Sequence, residues 1–189
     1  MAKDEKGMTD SELHRKLLAL WKRGQSDLCE IQGSSIHGSG VYAARDIAAD
    51  ELIIEYVGEF IDKEQSSKRS TIQLERSAKN GDAAVLILNN NSKWDLDGNV
   101  PWNTARLINH SCSPNCEAQS RGKKIFIHAL RKIKQGEELT YDYGFDVESY
   151  EEHPCLCRRD GCVGYIVSRD QWHILDDKLG RGKPSEKAS

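Results

Sequence analysis

Apolar residues recur at helical spacing near the start of the chain, where Leu13, Leu17, Leu20 and Trp21 share one face within residues 9–23. Thr9 or Ser11 can cap this helix, and acidic residues fill its first turn. Such a face packs on the domain body or on a partner; a helix lying on a membrane surface is the alternative. From residue 29 the pattern changes to short runs broken by glycine. CEIQGSSIHGSGVYAARDI carries Gly33, Gly38 and Gly40, and ELIIEYVGEFI, residues 51–61, predicts a strand bent or ended near Gly58. Residues 62–80 are polar and predict a surface helix ending at Asn80-Gly81. AAVLIL, residues 83–88, predicts a buried strand, WDLD a second one, and PWNTARLIN a short helix with Pro101 in its first turn. CEAQSRGKKIFIHAL predicts a hairpin around Gly122, and ELTYDYGF, residues 138–145, one more strand. RDQWHILDDKLG predicts a short helix before a polar tail expected to be disordered. Many short strands and few helices predict a mostly β domain.

The chain has 189 residues, enough for one core-forming domain with short additions. Lysine and arginine number 27 against 30 acidic residues, so no general basic footprint for nucleic acid exists. No apolar run approaches the roughly 20 residues that span a bilayer. The opening MAKDEKGMTD lacks the apolar stretch of a secretory signal, so a reducing, intracellular compartment is expected. There, clustered cysteines are metal ligands more often than disulfides.

Three cysteines fall within eight residues at Cys155, Cys157 and Cys162. A tetrahedral zinc needs a fourth sulfur, which Cys112 or Cys116 can supply. Disulfides and unlinked thiols are the alternatives. A closed four-sulfur site has no open position for water and is structural. Asn109 and His110 stand beside Cys112 and offer amide and imidazole groups to a polar ligand; alone, they suit a capped turn with a core histidine equally well. On a strand, Tyr141, Tyr143 and Phe145 face one side. They form an aromatic core stripe or the wall of a narrow channel. His37-Gly38-Ser39-Gly40 is a turn that lets backbone approach a ligand closely, without the third glycine of a dinucleotide fingerprint.

In this order IHGSGVYAARDI, IIEYVGE, NTARLINHSCSPNC, GEELTYDYGF and the C-x-C-x4-C-x-G run resemble the SET-domain protein-lysine methyltransferases with a post-SET zinc module. The likeness runs from about Cys29 to Val167. It implies a β-clip fold of small curved sheets with a pseudoknot-like threading, plus short helices. It divides the chain into an N-terminal helical extension at 1–28, a SET domain at 29–146, a post-SET module at 147–168 and a C-terminal helix with polar tail at 169–189. It also implies S-adenosylmethionine as co-substrate, held by His37, Gly38, Ser39, Gly40, Asn109 and His110, with Arg106 in support. Tyr143 would be the catalytic tyrosine, also touching the cofactor, and Tyr141 the residue that keeps the product mainly mono-methylated, with some di-methylation. One structural zinc would sit on Cys112, Cys155, Cys157 and Cys162. The implied substrate is a lysine-bearing protein or peptide, with a histone tail first, and the implied location is nucleus or chromatin. A non-histone target, in the cytoplasm or in a host cell, and a non-catalytic module that binds peptide are the rivals. Three features depart from the family pattern. AAVLIL lacks a polar aromatic, Trp102 stands where glycine is usual, and Cys29 alone cannot form a second zinc cluster.

Overall fold

A computed structural model describes residues 9–80, 87–89 and 91–181, with backbone alone at 77–80. The first helix, α1 (Asp10–Arg23), begins as its sequence requires. The Thr9 hydroxyl accepts from the Glu12 amide, and the Glu12 carboxylate accepts in return from the Thr9 amide, which closes a capping box. No residue of α1 is buried, and Leu13, Leu17 and Trp21 are exposed. The helix is tethered at its C-terminal end instead. Arg23 pairs with the buried Glu55, Gly24 O accepts from Thr104 N at 3.1 Å, and Gln25 Nε2 donates to Trp102 O at 3.0 Å. The half-buried Trp102 thus gives its carbonyl to this joint.

Four small sheets follow. Strands β1 (Cys29–Gly33) and β2 (Ser39–Ala43) form an antiparallel hairpin across residues 34–38. The apolar run after Glu51 divides at Gly58, as its sequence predicts, into β3 (Leu52–Tyr56) and β4 (Glu59–Asp62). The helix α2 (Lys63–Asn80) lies beyond β4. Of AAVLIL, residues 83–86 lie outside the described residues. The remainder enters β5 (Ile87–Asn89), which pairs with β6 (Trp94–Asp97), and β4 flanks β6 on the other side. Charged pairs pin α2 to this sheet. Arg69 Nη1 donates to Asp97 Oδ2 at 2.8 Å and to Glu59 Oε2 at 2.9 Å, and Lys63 Nζ meets Asp95 Oδ1 at 2.5 Å. Asp95 and Asp97 are buried, so each needs its cation.

The expected helix at PWNTARLIN is a single 3-10 turn, Thr104–Leu107, after which the chain enters β7 (Asn109–His110). The hairpin of β8 (Cys116–Arg121) and β9 (Lys124–Ala129) turns at Gly122 and packs on β3. The next strand, β10 (Thr140–Tyr141), runs parallel to β7, pairing Thr140 with Asn109 and Tyr141 with His110. This parallel pair joins two segments distant in sequence. A buried side chain secures it. Asn115 Nδ2 donates to Glu138 O at 2.9 Å, while its Oδ1 accepts from Thr140 N at 2.8 Å, so one amide does the work of a neighbouring strand.

Most apolar burial lies in one cluster that includes Val41, Ile54, Tyr56, Leu96, Ile108, Ile127, Leu139 and Tyr141. A smaller core of Val147, Val167 and Leu175 joins residues 147–167 to α3 (Trp172–Lys178). Tyr56 is central to the main cluster. A Cβ on Gly98 would stand 2.2–2.4 Å from two ring carbons and the hydroxyl oxygen of Tyr56. Gly98→Ala is therefore expected to destabilise the protein by about 1–3 kcal/mol, the usual range for forced overpacking, as measured by denaturant unfolding.

Candidate active site

The site is built where β7, β10 and the β1–β2 loop meet. Asn109 is buried, and its Nδ2 donates to Ser39 O at 3.1 Å, to Glu138 Oε1 at 2.9 Å and, at the limit, to His37 O at 3.5 Å. The His37–Gly40 turn is thereby fixed to the NH pair, and Gly38 supplies its left-handed residue at φ +46°.

His110 faces two ways. Its Nδ1 accepts from the Tyr143 amide at 3.3 Å, which assigns the proton of the neutral ring to Nε2. That Nε2 lies 3.6 Å from Cys112 Sγ. The imidazole therefore bridges the backbone at Tyr143 and the cysteine cluster.

Tyr143 is half-buried, and its hydroxyl donates to Ile108 O at 2.9 Å. The ring lies 4.9 Å from Tyr141, 5.5 Å from His110 and 5.7 Å from Phe145, measured between centroids. Tyr141, Tyr143 and Phe145 do line up, although only Thr140–Tyr141 is strand. Burial pushes the Tyr143 phenol above its ordinary range, and likewise those of Tyr141 and Tyr56. Each lies close enough to another of the three for ionisation of one to oppose that of the other. All three stay protonated at neutral pH, so the group offers neutral hydroxyls in an apolar setting and no phenolate base. Arg106 stands within electrostatic reach of Tyr56.

Cys112, Cys155, Cys157 and Cys162 converge, with their four sulfurs within 4.8 Å of one another. Cys112 Sγ is 3.7 Å from both Cys155 Sγ and Cys162 Sγ. The Cys155 thiol draws Cys112 below the usual thiol range, and the same contact pushes Cys155 up. Against the pull of burial, hydrogen bonds draw Cys157 down as well, and burial pushes Cys162 up, so the crowd mixes thiolates with protonated neighbours until a cation allows all four to ionise. The group could hold a metal ion. Cys116 is elsewhere, buried in the main core with its thiol 3.4 Å from Asn115 Oδ1.

A family model described as the SET domain matches residues 38–144. The chain belongs to the SET-domain family. Its similarity to curated members extends past that match. It is 40% identical over 139 residues to a histone-lysine N-methyltransferase, H3 lysine-4 specific, of Emericella nidulans, covering 70% of this chain and 11% of the relative. It is 42% identical over 139 residues to the protein of that description from Candida albicans, covering 70% and 13%. It is 39% identical over 149 residues to histone-lysine N-methyltransferase trithorax of Drosophila virilis, covering 77% and 4%. The chain thus spans between 4% and 13% of the length of these relatives.

For this SET domain, sequence reasoning brought together Asn109, His110, Tyr141, Tyr143 and the four sulfurs. It assigned nothing to Tyr56, Asn115 or Glu138. Each lies inside a segment already singled out, EYVGE, SPNC and GEEL, but a single sequence does not say which member of a motif faces the site.

Proposed function

We propose that the chain is a protein-lysine N-methyltransferase that uses S-adenosylmethionine, and that a lysine of a histone H3 tail is its substrate. The carrying observation is the Tyr143 hydroxyl, held by Ile108 O beside the Asn109–His110 pair and walled by buried aromatics. S-adenosylmethionine supplies an electrophilic methyl group on a sulfonium. His37, Gly38, Ser39, Gly40, Asn109 and His110 are the residues that would hold it, with Arg106 in support. The substrate amine must lose its proton, and a free lysine has a pKa near about 10.4. Burial of the amine against the rings of Tyr56, Tyr141 and Tyr143 would disfavour the charged ammonium and so lower that pKa. The Tyr143 hydroxyl, already donating to Ile108 O, presents its lone pairs to the transferring methyl as a weak C–H acceptor. Positioning supplies most of the rate.

The four sulfurs suit one structural zinc. Bonds of about 2.3 Å to a tetrahedral zinc place sulfurs about 3.8 Å apart, close to the 3.7 Å contacts at Cys112. Zinc would hold residues 147–168 against the SET domain and steady His110 through Cys112. Relatives described as acting on H3 lysine-4 favour a nuclear, chromatin-bound setting. Among the described residues no helix is long and apolar enough to cross a membrane.

Transfer of labelled methyl from S-adenosylmethionine to recombinant H3, located by peptide mapping, tests the reading. The lack of an aromatic in AAVLIL favours one rival, a module that binds peptide without chemistry. Tight cofactor binding with no label on any histone or lysate protein would select that rival, and label on other proteins alone would select a non-histone target.

Tyr141 sets the product. Its buried hydroxyl, beside Tyr143, can hold the amine or an ordered water and so disfavours the turn a methylated amine must make. Tyr141→Phe is expected to shift the main product from mono- to di- or trimethyl-lysine by mass spectrometry. Trimethyl product from the unaltered chain would refute this.

A further inference from the structure

Glu138 is buried at the centre of the cofactor side of the site, and the chemistry proposed above gives it no part. Its Oε1 accepts from Ser34 Oγ at 2.6 Å and from Asn109 Nδ2 at 2.9 Å, and its Oε2 lies 3.4 Å from the Tyr42 hydroxyl. Ser34 in turn organises the loop ahead of the GSG turn. Its Oγ accepts from Ile36 N at 2.9 Å, and its amide donates to Gly38 O at 2.9 Å. The carboxylate also presses against Gly40, where a Cβ would stand 2.4 Å from Oε1. One side chain therefore ties three segments together: the loop at 34–40, β7 through Asn109, and the approach to β10.

A carboxylate only accepts hydrogen bonds. Glu138 Oε1, Ser39 O and His37 O all face the Asn109 amide, and all three demand its NH2 end. The Asn109 Oδ1 must then point the other way. This wall is built from acceptors and carries one negative charge. Such a surface suits a cationic donor better than an uncharged adenine edge.

We propose that Glu138 is a positioning residue for cofactor binding: it locks the Asn109 amide so that Oδ1 accepts from the α-ammonium group of S-adenosylmethionine. The inference rests on the cofactor assignment above. A glutamine at 138 can present its own NH2 to Asn109, which removes the shortest of the three contacts that hold the amide in its orientation and leaves only the two backbone carbonyls.

The test compares two nucleosides by calorimetry on the full chain. S-adenosylhomocysteine carries the α-ammonium, and 5′-methylthioadenosine lacks the whole amino-acid part. Glu138→Gln is expected to weaken S-adenosylhomocysteine about tenfold and leave methylthioadenosine within about twofold, with kcat at saturating cofactor changed less than KM. Ser34→Ala, which removes the hydroxyl that donates to Glu138 Oε1 at 2.6 Å, is expected to produce the same selective loss and serves if Glu138→Gln does not fold. Equal weakening of both nucleosides would make Glu138 merely structural and overturn the proposal, as would no change in either. An unaltered chain that binds neither nucleoside would instead overturn the cofactor assignment itself, and this inference with it.

Discussion

Replacing Tyr143 by Phe is expected to lower kcat for methyl transfer by about 100-fold or more, the scale seen when one preorganised polar group is lost from a reacting centre. The Kd for S-adenosylmethionine is expected to stay within about twofold. The two outcomes follow from what the substitution keeps. Phenylalanine preserves the ring contacts with Tyr141, His110 and Phe145, and the backbone bond to His110 Nδ1. Only the oxygen and its bond to Ile108 O disappear. A partly buried carbonyl then loses its donor, at a stability cost of about 1 kcal/mol, too little to unfold the domain. Single-turnover transfer to an H3 peptide, with cofactor binding measured in parallel, separates these effects. Because burial holds the phenol above its ordinary range, the wild-type rate should rise with pH as the lysine loses its proton, without a separate limb from Tyr143 below about pH 10. A variant that retains full activity would remove Tyr143 from the mechanism.

Removing metal is expected to have the second large effect. Elemental analysis should find one zinc per chain. Stripping it with a strong chelator, or making Cys157→Ser, should abolish hydrogen-exchange protection around residues 155–166 and reduce methyl transfer at least tenfold. The packing explains why. The main core has many buried aliphatic residues, whereas the module shares with α3 only a small core of Val147, Val167 and Leu175 with partly buried neighbours. Three such side chains contribute only about 1.5–3 kcal/mol each, against about 10–16 kcal/mol of apparent binding energy for a structural zinc site. Activity suffers because the module is continuous with the site. Phe145 lies between Tyr143 and His153 in tilted and edge-on contacts, at 5.7 and 4.6 Å between ring centroids. Zinc at a different stoichiometry, or a chelated protein that keeps both protection and activity, would refute the structural role.

Legibility in the sequence followed the range of the forces involved. The α1 cap, the break at Gly58 and the hairpin at Gly122 depend on neighbours in sequence, and all were readable. The strand expected over residues 138–145 is only Thr140–Tyr141. Asp142 ends it: its Oδ1 accepts locally from Gly144 N at 3.0 Å, and its Oδ2 accepts from the distant Arg169 N at 3.1 Å. Gly144 completes the turn at φ +67°. The aromatics still line up because tertiary contacts, not strand periodicity, set their direction. The apolar face of α1 was readable too, but hydrophobic spacing says that a face exists and not what covers it. Asn115 and Glu138 were hidden for a different reason. Both act on segments far away in sequence, and no local pattern marks an amide that substitutes for a strand.

The parallel pairing of Asn109–His110 with Thr140–Tyr141 has a consequence for any attempt to divide the molecule. A nick in the exposed turn at Gly122 would leave the NH pair on one fragment and the phenol on the other. Neither piece contains a diluted version of the centre, so proteolysis there would act as a switch with two positions, and activity would return only when the fragments reassociate.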